Sequence, residues 1–146
     1  MMTGEQMLVS TRGRYALRIL LELGKYDAAR YVPLPLIAQR QDISEKYLES
    51  IVSTLVKAGL LDGMRGKNGG YRLNRPLEGY SVGEVLRLTE GSLAPVSCLE
   101  TEVNSCPRAG DCHTLPMWKK LDDLINGYLD SVTLSDLLAG DTPSCI

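Results

Sequence analysis

The sequence predicts a mainly α fold with a small β-hairpin wing: a winged helix-turn-helix followed by a long C-terminal helix. Three observations lead there. Residues 33–59 hold two helical patterns joined by a short polar turn, with another helical pattern before them. A glycine-rich, basic hairpin signal follows at once. Farther on, Trp118, Leu121, Ile125, Tyr128 and Val132 recur at alternating spacings of three and four residues.

Each element has a local reason. Ser10 or Thr11 caps a first helix whose apolar positions are Tyr15, Ile19, Leu20 and Leu23, with Arg12, Arg14 and Arg18 interleaved around its start. Residues 26–32 read as a polar connection. Pro33 and Pro35 suit the entry to a short second helix through Leu36, Ile37 and Ala38. Residues 40–43 form a turn, and Ser44 then caps a third helix with Glu45 in its first turn. The apolar stripe of that helix is Leu48, Ile51, Val52, Leu55 and Val56, and Gly59 supplies a left-handed stop. Leu60–Arg65 and Tyr71–Leu73 read as short strands flanking the Gly66-Lys67-Asn68-Gly69-Gly70 tip. Ser81 and Glu84 form the pattern of a capping box for a short helix through Val85, Leu86 and Leu88. Periodicity lapses from Gly91 to Thr114. It returns in a helix from Leu115 to Val132, whose seam needs a partner surface, and Thr133 to Asp136 caps a last short helix ending at Gly140.

Composition sets the bounds. A chain of 146 residues with 44% hydrophobic and 23% charged residues is an ordinary globular one, too apolar for disorder. No apolar run approaches a membrane span. The first fifteen residues lack the basic region, apolar core and cleavage site of a signal peptide, so a cytoplasmic location is expected. The net charge of −2 hides two halves of opposite sign. Residues 1–76 carry 12 Lys and Arg against 7 Asp and Glu, a net of +5, while residues 77–146 carry 4 against 11, a net of −7. The first half has the electrostatic character of a surface that meets a polyanion.

Phosphate contacts supply affinity for DNA and base-edge contacts supply specificity. On the third helix, Ser44, Lys46, Tyr47, Glu49 and Ser50 occupy the first two turns, the part of a recognition helix that enters the major groove. There a Glu49 carboxylate can accept from cytosine N4. On the wing, Arg65, Lys67 and Asn68 lie where glycines let a backbone come close to DNA, and Arg12 and Arg14 add a basic rim. An ordinary solvated surface is the alternative for any one of these residues. The combination points to double-stranded DNA.

Cys98, Cys106 and Cys112 are separated by seven and five residues in the segment without periodicity. In a cytoplasmic protein such clustering suggests a metal, a cluster or a redox switch ahead of structural disulfides. Thiolates suit iron–sulfur clusters and zinc alike, and the absence of a Cys-x-x-Cys pair argues against a ribbon or finger site. Three free thiols in a loop are the alternative. His113, directly after Cys112, is a further candidate ligand, or else an exposed loop histidine. Cys145 stands apart and reads as a free thiol.

Ser-Thr-Arg-Gly-Arg-Tyr-Ala at 10–16, Ile-Ser-Glu-Lys-Tyr-Leu-Glu at 43–49 and Leu-Val-Lys-Ala-Gly-Leu-Leu at 55–61 resemble the Rrf-two family of bacterial transcription regulators. Arg-Gly-Lys-Asn-Gly-Gly-Tyr-Arg-Leu at 65–73 and Val-Gly-Glu-Val at 82–85 carry the resemblance on, from about Met7 to Gly140. It implies a homodimer joined through the long C-terminal helix, a palindromic operator and repression. It also implies three segments: a DNA-binding unit over 1–76, a short helix and sensor loop over 77–113, and a dimerisation helix and tail over 114–146. The three cysteines before the long helix are similar to the cluster loop of the IscR and NsrR types, a triad that the CymR type generally lacks. An iron–sulfur cluster, 2Fe–2S ahead of 4Fe–4S, is therefore expected at Cys98, Cys106 and Cys112, with His113.

Three departures stand out. The first cysteine gap is longer than the family's usual one, and the IscR-type histidine position holds Leu115. The acidic N-terminal ligand of the NsrR type would fall at Arg14, which cannot bind a metal. Cluster occupancy would order residues 91–114 and so alter the spacing of two recognition helices. The rival is a cluster-free regulator of the same family, controlled by a partner protein or by thiol oxidation. An enzyme is not expected, since no cofactor loop or nucleophile–base pair is present.

Overall fold

Helix α1 spans Thr11–Leu23, and Ser10 starts it by accepting a hydrogen bond from Gly13 N–H. The computed structural model describes residues 9–96, 99, 110 and 112–140. Helix α2 (Leu34–Gln41) follows Pro33, with Pro35 in the first turn, where a missing N–H costs nothing. It ends at Asp42 in the left-handed conformation, which reverses the chain in a single residue. Helix α3 (Glu45–Lys57) opens on Ser44, whose hydroxyl accepts from Tyr47 N–H. The buried residues of α1 (Ala16, Ile19, Leu20, Leu23), α2 (Ile37, Ala38) and α3 (Leu48, Ile51, Val52, Leu55) form one apolar core.

Strands β1 (Leu61–Met64) and β2 (Gly70–Leu73) pair antiparallel, with Leu61 opposite Leu73 and Met64 opposite Gly70. The connection expected to be polar over 26–32 ends in a buried apolar residue. Val32 exchanges both backbone hydrogen bonds with Tyr71, at 2.8 and 2.9 Å, and so extends the wing by one bridge. Val32 N–H and C=O would otherwise be buried unpaired, which accounts for the contact. Gly70, at φ +149°, is what allows Val32 to approach β2 this closely.

A 3₁₀ turn (Leu77–Gly79) leads to the buried Tyr80, whose hydroxyl donates to Leu60 O at 2.7 Å and accepts from Asn74 N–H at 3.0 Å. Helix α4 (Val82–Glu90) is capped by Ser81, which accepts from Glu84 N–H. Only this half of the expected capping box forms. The Glu84 carboxylate instead accepts from Arg75 at 2.9 Å, because a charged guanidinium outcompetes a backbone N–H for it. Helix α5 (Leu115–Ser131) packs on α4, where Arg87 reaches Asn126 and Asp130. Helix α6 (Leu134–Ala139) carries a complete capping box between Thr133 and Asp136. Leu134, Tyr80 and Val85 belong to the same core as α1–α3, and a second cluster joins Val82, Leu86, Leu93 and Val132.

The apolar seam expected along α5 divides between two faces. Ile125, Leu129 and Val132 pack on α4, whereas Met117, Leu121, Leu124 and Tyr128 are exposed, Met117 at 54% and Leu124 at 53%. Steps of three and four residues turn a helix by about −60° and about +40°, so alternate positions of the repeat fall on two adjacent stripes, one against α4 and one open. Among the described residues, no helix is long and apolar enough to cross a membrane.

Candidate nucleic-acid interface

An open groove of about 980 Å³ runs between α3, the start of α2 and the wing. Its walls include Lys46, Glu49, Ser50, Ser53 and Lys57 from α3, and Met64 and Arg65 from the wing. Pro33, Leu34 and Pro35, at the start of α2, line it as well. Of the residues singled out in the sequence, Lys46, Glu49, Ser50 and Arg65 meet here. They are exposed, as are Lys67 and Asn68 at the hairpin tip. Asn68 takes a left-handed conformation, which Asn tolerates better than most residues and which turns the tip. Ser53, Lys57, Met64 and the Pro33–Pro35 wall were not anticipated. Ser53 and Lys57 follow Glu49 and Ser50 at helical spacing, a signal that was available.

The remaining candidates sit at the edges. Ser44 holds the α3 N-cap, and Tyr47 is half-buried, with its ring edge-on to Tyr15 at 5.8 Å. Arg12 and Arg14, two positions apart on α1, do not share a face. Arg14 is exposed and reaches Thr11 Oγ1 at 3.3 Å. Arg12 turns to α3 and donates to Ser50 Oγ (3.0 Å), Ser50 O (3.2 Å) and Thr54 Oγ1 (2.8 Å).

Residues farther along α1 set the helix-turn-helix angle. Arg18 donates to Gln41 Oε1 and to Gln41 O at 2.9 and 2.6 Å. Glu22, only 2% exposed, accepts from Gln41 Nε2, the Tyr26 hydroxyl and Arg40 Nε. Burial pushes its carboxyl pKa up. The hydrogen bonds from Gln41 and Tyr26 and the charges of Lys25 and Arg40 outweigh that and hold it below the ordinary value. The turn between α2 and α3 is thus tied to α1 by a buried anion and a guanidinium.

Of the candidate cluster ligands, Cys98 and Cys106 lie outside the described residues, as does Cys145. Cys112 is half-buried just ahead of α5, with its sulfur 3.3 Å from Thr114 Oγ1, and His113 is exposed. Sulfur is the donor type that iron–sulfur clusters take from a protein, so the side-chain chemistry of Cys112 fits such a group. Among the described residues, no group of three or more His, Cys, Asp or Glu converges as a metal site.

Comparison with known proteins places this architecture. The Rrf2 family profile, described as an iron-dependent transcriptional regulator, matches residues 9–140. The chain is 38% identical over 131 residues to the HTH-type transcriptional regulator CymR of Bacillus subtilis, covering 90% of this chain and 89% of that protein. It is 35% identical over 132 residues to the HTH-type transcriptional regulator IscR of Escherichia coli, covering 90% and 80%. The solved structure of CymR, the global cysteine regulator of B. subtilis, superposes with a TM-score of 0.73 at 34% identity, covering 96% of this chain and 98% of that one. The helix-turn-helix, the basic wing and this similarity along nearly the whole chain agree: the protein belongs to the Rrf2 family of DNA-binding transcriptional regulators and is not an enzyme.

Proposed function

We propose that the protein is a homodimeric repressor that binds a palindromic double-stranded DNA operator and responds to an iron–sulfur cluster at its three-cysteine loop. The observation that carries the DNA part is the groove whose α3 wall presents Lys46, Glu49 and Ser50 beside Arg65 of the wing. The first turns of α3, with Ser44, Lys46, Tyr47, Glu49 and Ser50, enter the major groove. Arg65, Lys67 and Asn68 track the adjacent backbone or minor groove, and Arg14 meets a flanking phosphate. Glu49 reads a base edge, since a carboxylate is repelled by phosphate and accepts well from cytosine. A second copy of the chain covers the exposed stripe of Met117, Leu121, Leu124 and Tyr128.

Cys98, Cys106 and Cys112, with His113, are the residues to hold a cluster, 2Fe–2S ahead of 4Fe–4S, which would supply reversible redox and assembly chemistry. Similarity to IscR supports this reading. Similarity to CymR supports a second one, in which the cysteines respond to thiol oxidation or a partner protein controls binding without a cluster. Anaerobic purification with visible absorption and iron and sulfide assays separates the two. A coloured protein with iron and sulfide in equal amounts is expected. A colourless protein that resists reconstitution, with regulation surviving Cys→Ser replacement of all three, contradicts the cluster. A monomer in light scattering that stays monomeric on DNA contradicts the dimer.

A further inference from the structure

We propose that Arg12 is a positioning residue for the recognition helix, and that Glu90 sets where Arg12 stands. The inference rests on the DNA-reading assignment of α3 above. Arg12 is the only residue of α1 whose side chain donates to α3 among the described hydrogen bonds, and it does so three times: to Ser50 Oγ, Ser50 O and Thr54 Oγ1. A guanidinium suits this task, because its planar fork holds several oxygens at fixed angles. Ser50 lies on the groove and Thr54 one turn behind it. The grip therefore fixes both the rotation and the axial position of the part of α3 that reads bases.

The base on which Arg12 rides is itself anchored. Glu90, the last residue of α4, accepts from Ser10 N–H at 3.1 Å and from the Ser10 hydroxyl at 2.6 Å, and the same hydroxyl caps Gly13 N–H. A carboxylate at the start of α1 is favoured by the helix dipole. Gly13 presses into the end of α4. A methyl there would lie 3.1 Å from both Leu86 Cδ2 and Thr89 Oγ1 and closer still to Glu90 Oε2. The C-terminal end of α4 thus holds the first turn of α1, and Arg12 carries that position to α3. A shift of α4 relative to α1 moves the recognition helix without touching any residue that faces DNA.

The test uses the full-length protein and an operator selected by that protein from random duplexes, with affinity measured across a range of salt and folding followed by thermal denaturation. Arg12→Ala is expected to weaken operator binding about tenfold, the cost of one misplaced base contact, while the slope of log affinity against log salt stays unchanged. Arg12→Lys is expected to leave most of that loss, because one ammonium cannot bridge the three oxygens. The double variant Arg12→Ala/Thr54→Ala is expected to bind no more weakly than Arg12→Ala alone. Glu90→Ala, which removes the oxygen to which both Ser10 groups donate, is expected to weaken binding in the same direction with the salt slope retained.

A salt slope reduced by about one in Arg12→Ala, with affinity restored by lysine, makes Arg12 a direct phosphate contact and overturns the proposal. Additive losses for Arg12 and Thr54 overturn it as well, as does a Glu90→Ala protein with full affinity. If Arg12→Ala does not fold, Arg12→Lys and Thr54→Ala carry the same comparison. Failure of the unmodified protein to select any DNA defeats the DNA-reading assignment itself, whereas selection with an indifferent Arg12→Ala defeats only the positioning role.

Discussion

Replacing Gly70 by alanine tests how the wing is attached. The new methyl would lie 2.8 Å from Pro33 N and closer still to the Val32 carbonyl, all of it backbone that no rotamer change can move. Relief requires β2 to step away from Val32, which breaks the two hydrogen bonds between Val32 and Tyr71. Each is worth about 1 kcal/mol net. Holding an alanine at a positive φ adds about 1–2 kcal/mol. The expected loss is therefore about 3–4 kcal/mol, a large share of the ~5–15 kcal/mol that keeps a domain folded. Gly59→Ala is the control, since Gly59 also has a positive φ (+82°) but no atom within 4 Å of the added methyl. Only the backbone cost of about 1–2 kcal/mol applies there. Urea unfolding at a common slope gives both values. Equal losses for the two variants, within about 0.5 kcal/mol, would refute the idea that close approach of Val32 is what demands glycine at 70. Gly70 and Tyr71 also line the groove, so Gly70→Ala should weaken DNA binding in parallel.

Further outcomes follow from single side chains. Tyr80→Phe leaves Leu60 O and Asn74 N–H without their partner and should cost about 1–3 kcal/mol in urea unfolding. Glu22 favours its ionised form in the folded state, so its contribution is complete above the ordinary value of 4.5 and is lost as pH falls through its lower folded-state value. Glu22→Gln should therefore destabilise at about pH 7, and the gap from the unmodified protein should close towards about pH 3, read as urea midpoints at both. A gap that does not change with pH contradicts that role. Lys67→Ala should weaken all DNA sequences alike and lower the salt slope by about one. Glu49→Ala should instead relax preference at one base pair, by about 1–3 kcal/mol in competition assays. Exchange of these two patterns reverses the assignments.

Much of the fold was legible because it is written locally. Ser10, Ser44, Ser81 and Thr133 each cap the helix that follows, and the Gly-Lys-Asn-Gly-Gly run marks the hairpin tip. Apolar positions in α1 and α3 identified the core faces. What escaped depends on partners distant in sequence. Val32 joins β2 from the far end of a polar loop, and nothing near it announces the bridge. Arg12 resembles any basic residue at a helix start, and only the fold brings Ser50 and Thr54 to it. Glu84 had two acceptable partners, and the choice went to a guanidinium from another element. The α5 repeat signalled an apolar helix but not which stripe faces α4 and which lies open. The groove was half legible: its α3 wall followed from helical spacing, while the Pro33–Pro35 wall and Met64 depend on how α2 and the wing meet.

In the proposed function, two copies of the chain present α3 and the wing to one DNA duplex. Selection of bound duplexes from a random library by the purified protein tests this. Enrichment of a two-fold palindrome whose half-sites lie about one helical turn, or a multiple of it, apart is expected. Enrichment of a single unpaired half-site, or of no sequence at all, would contradict it.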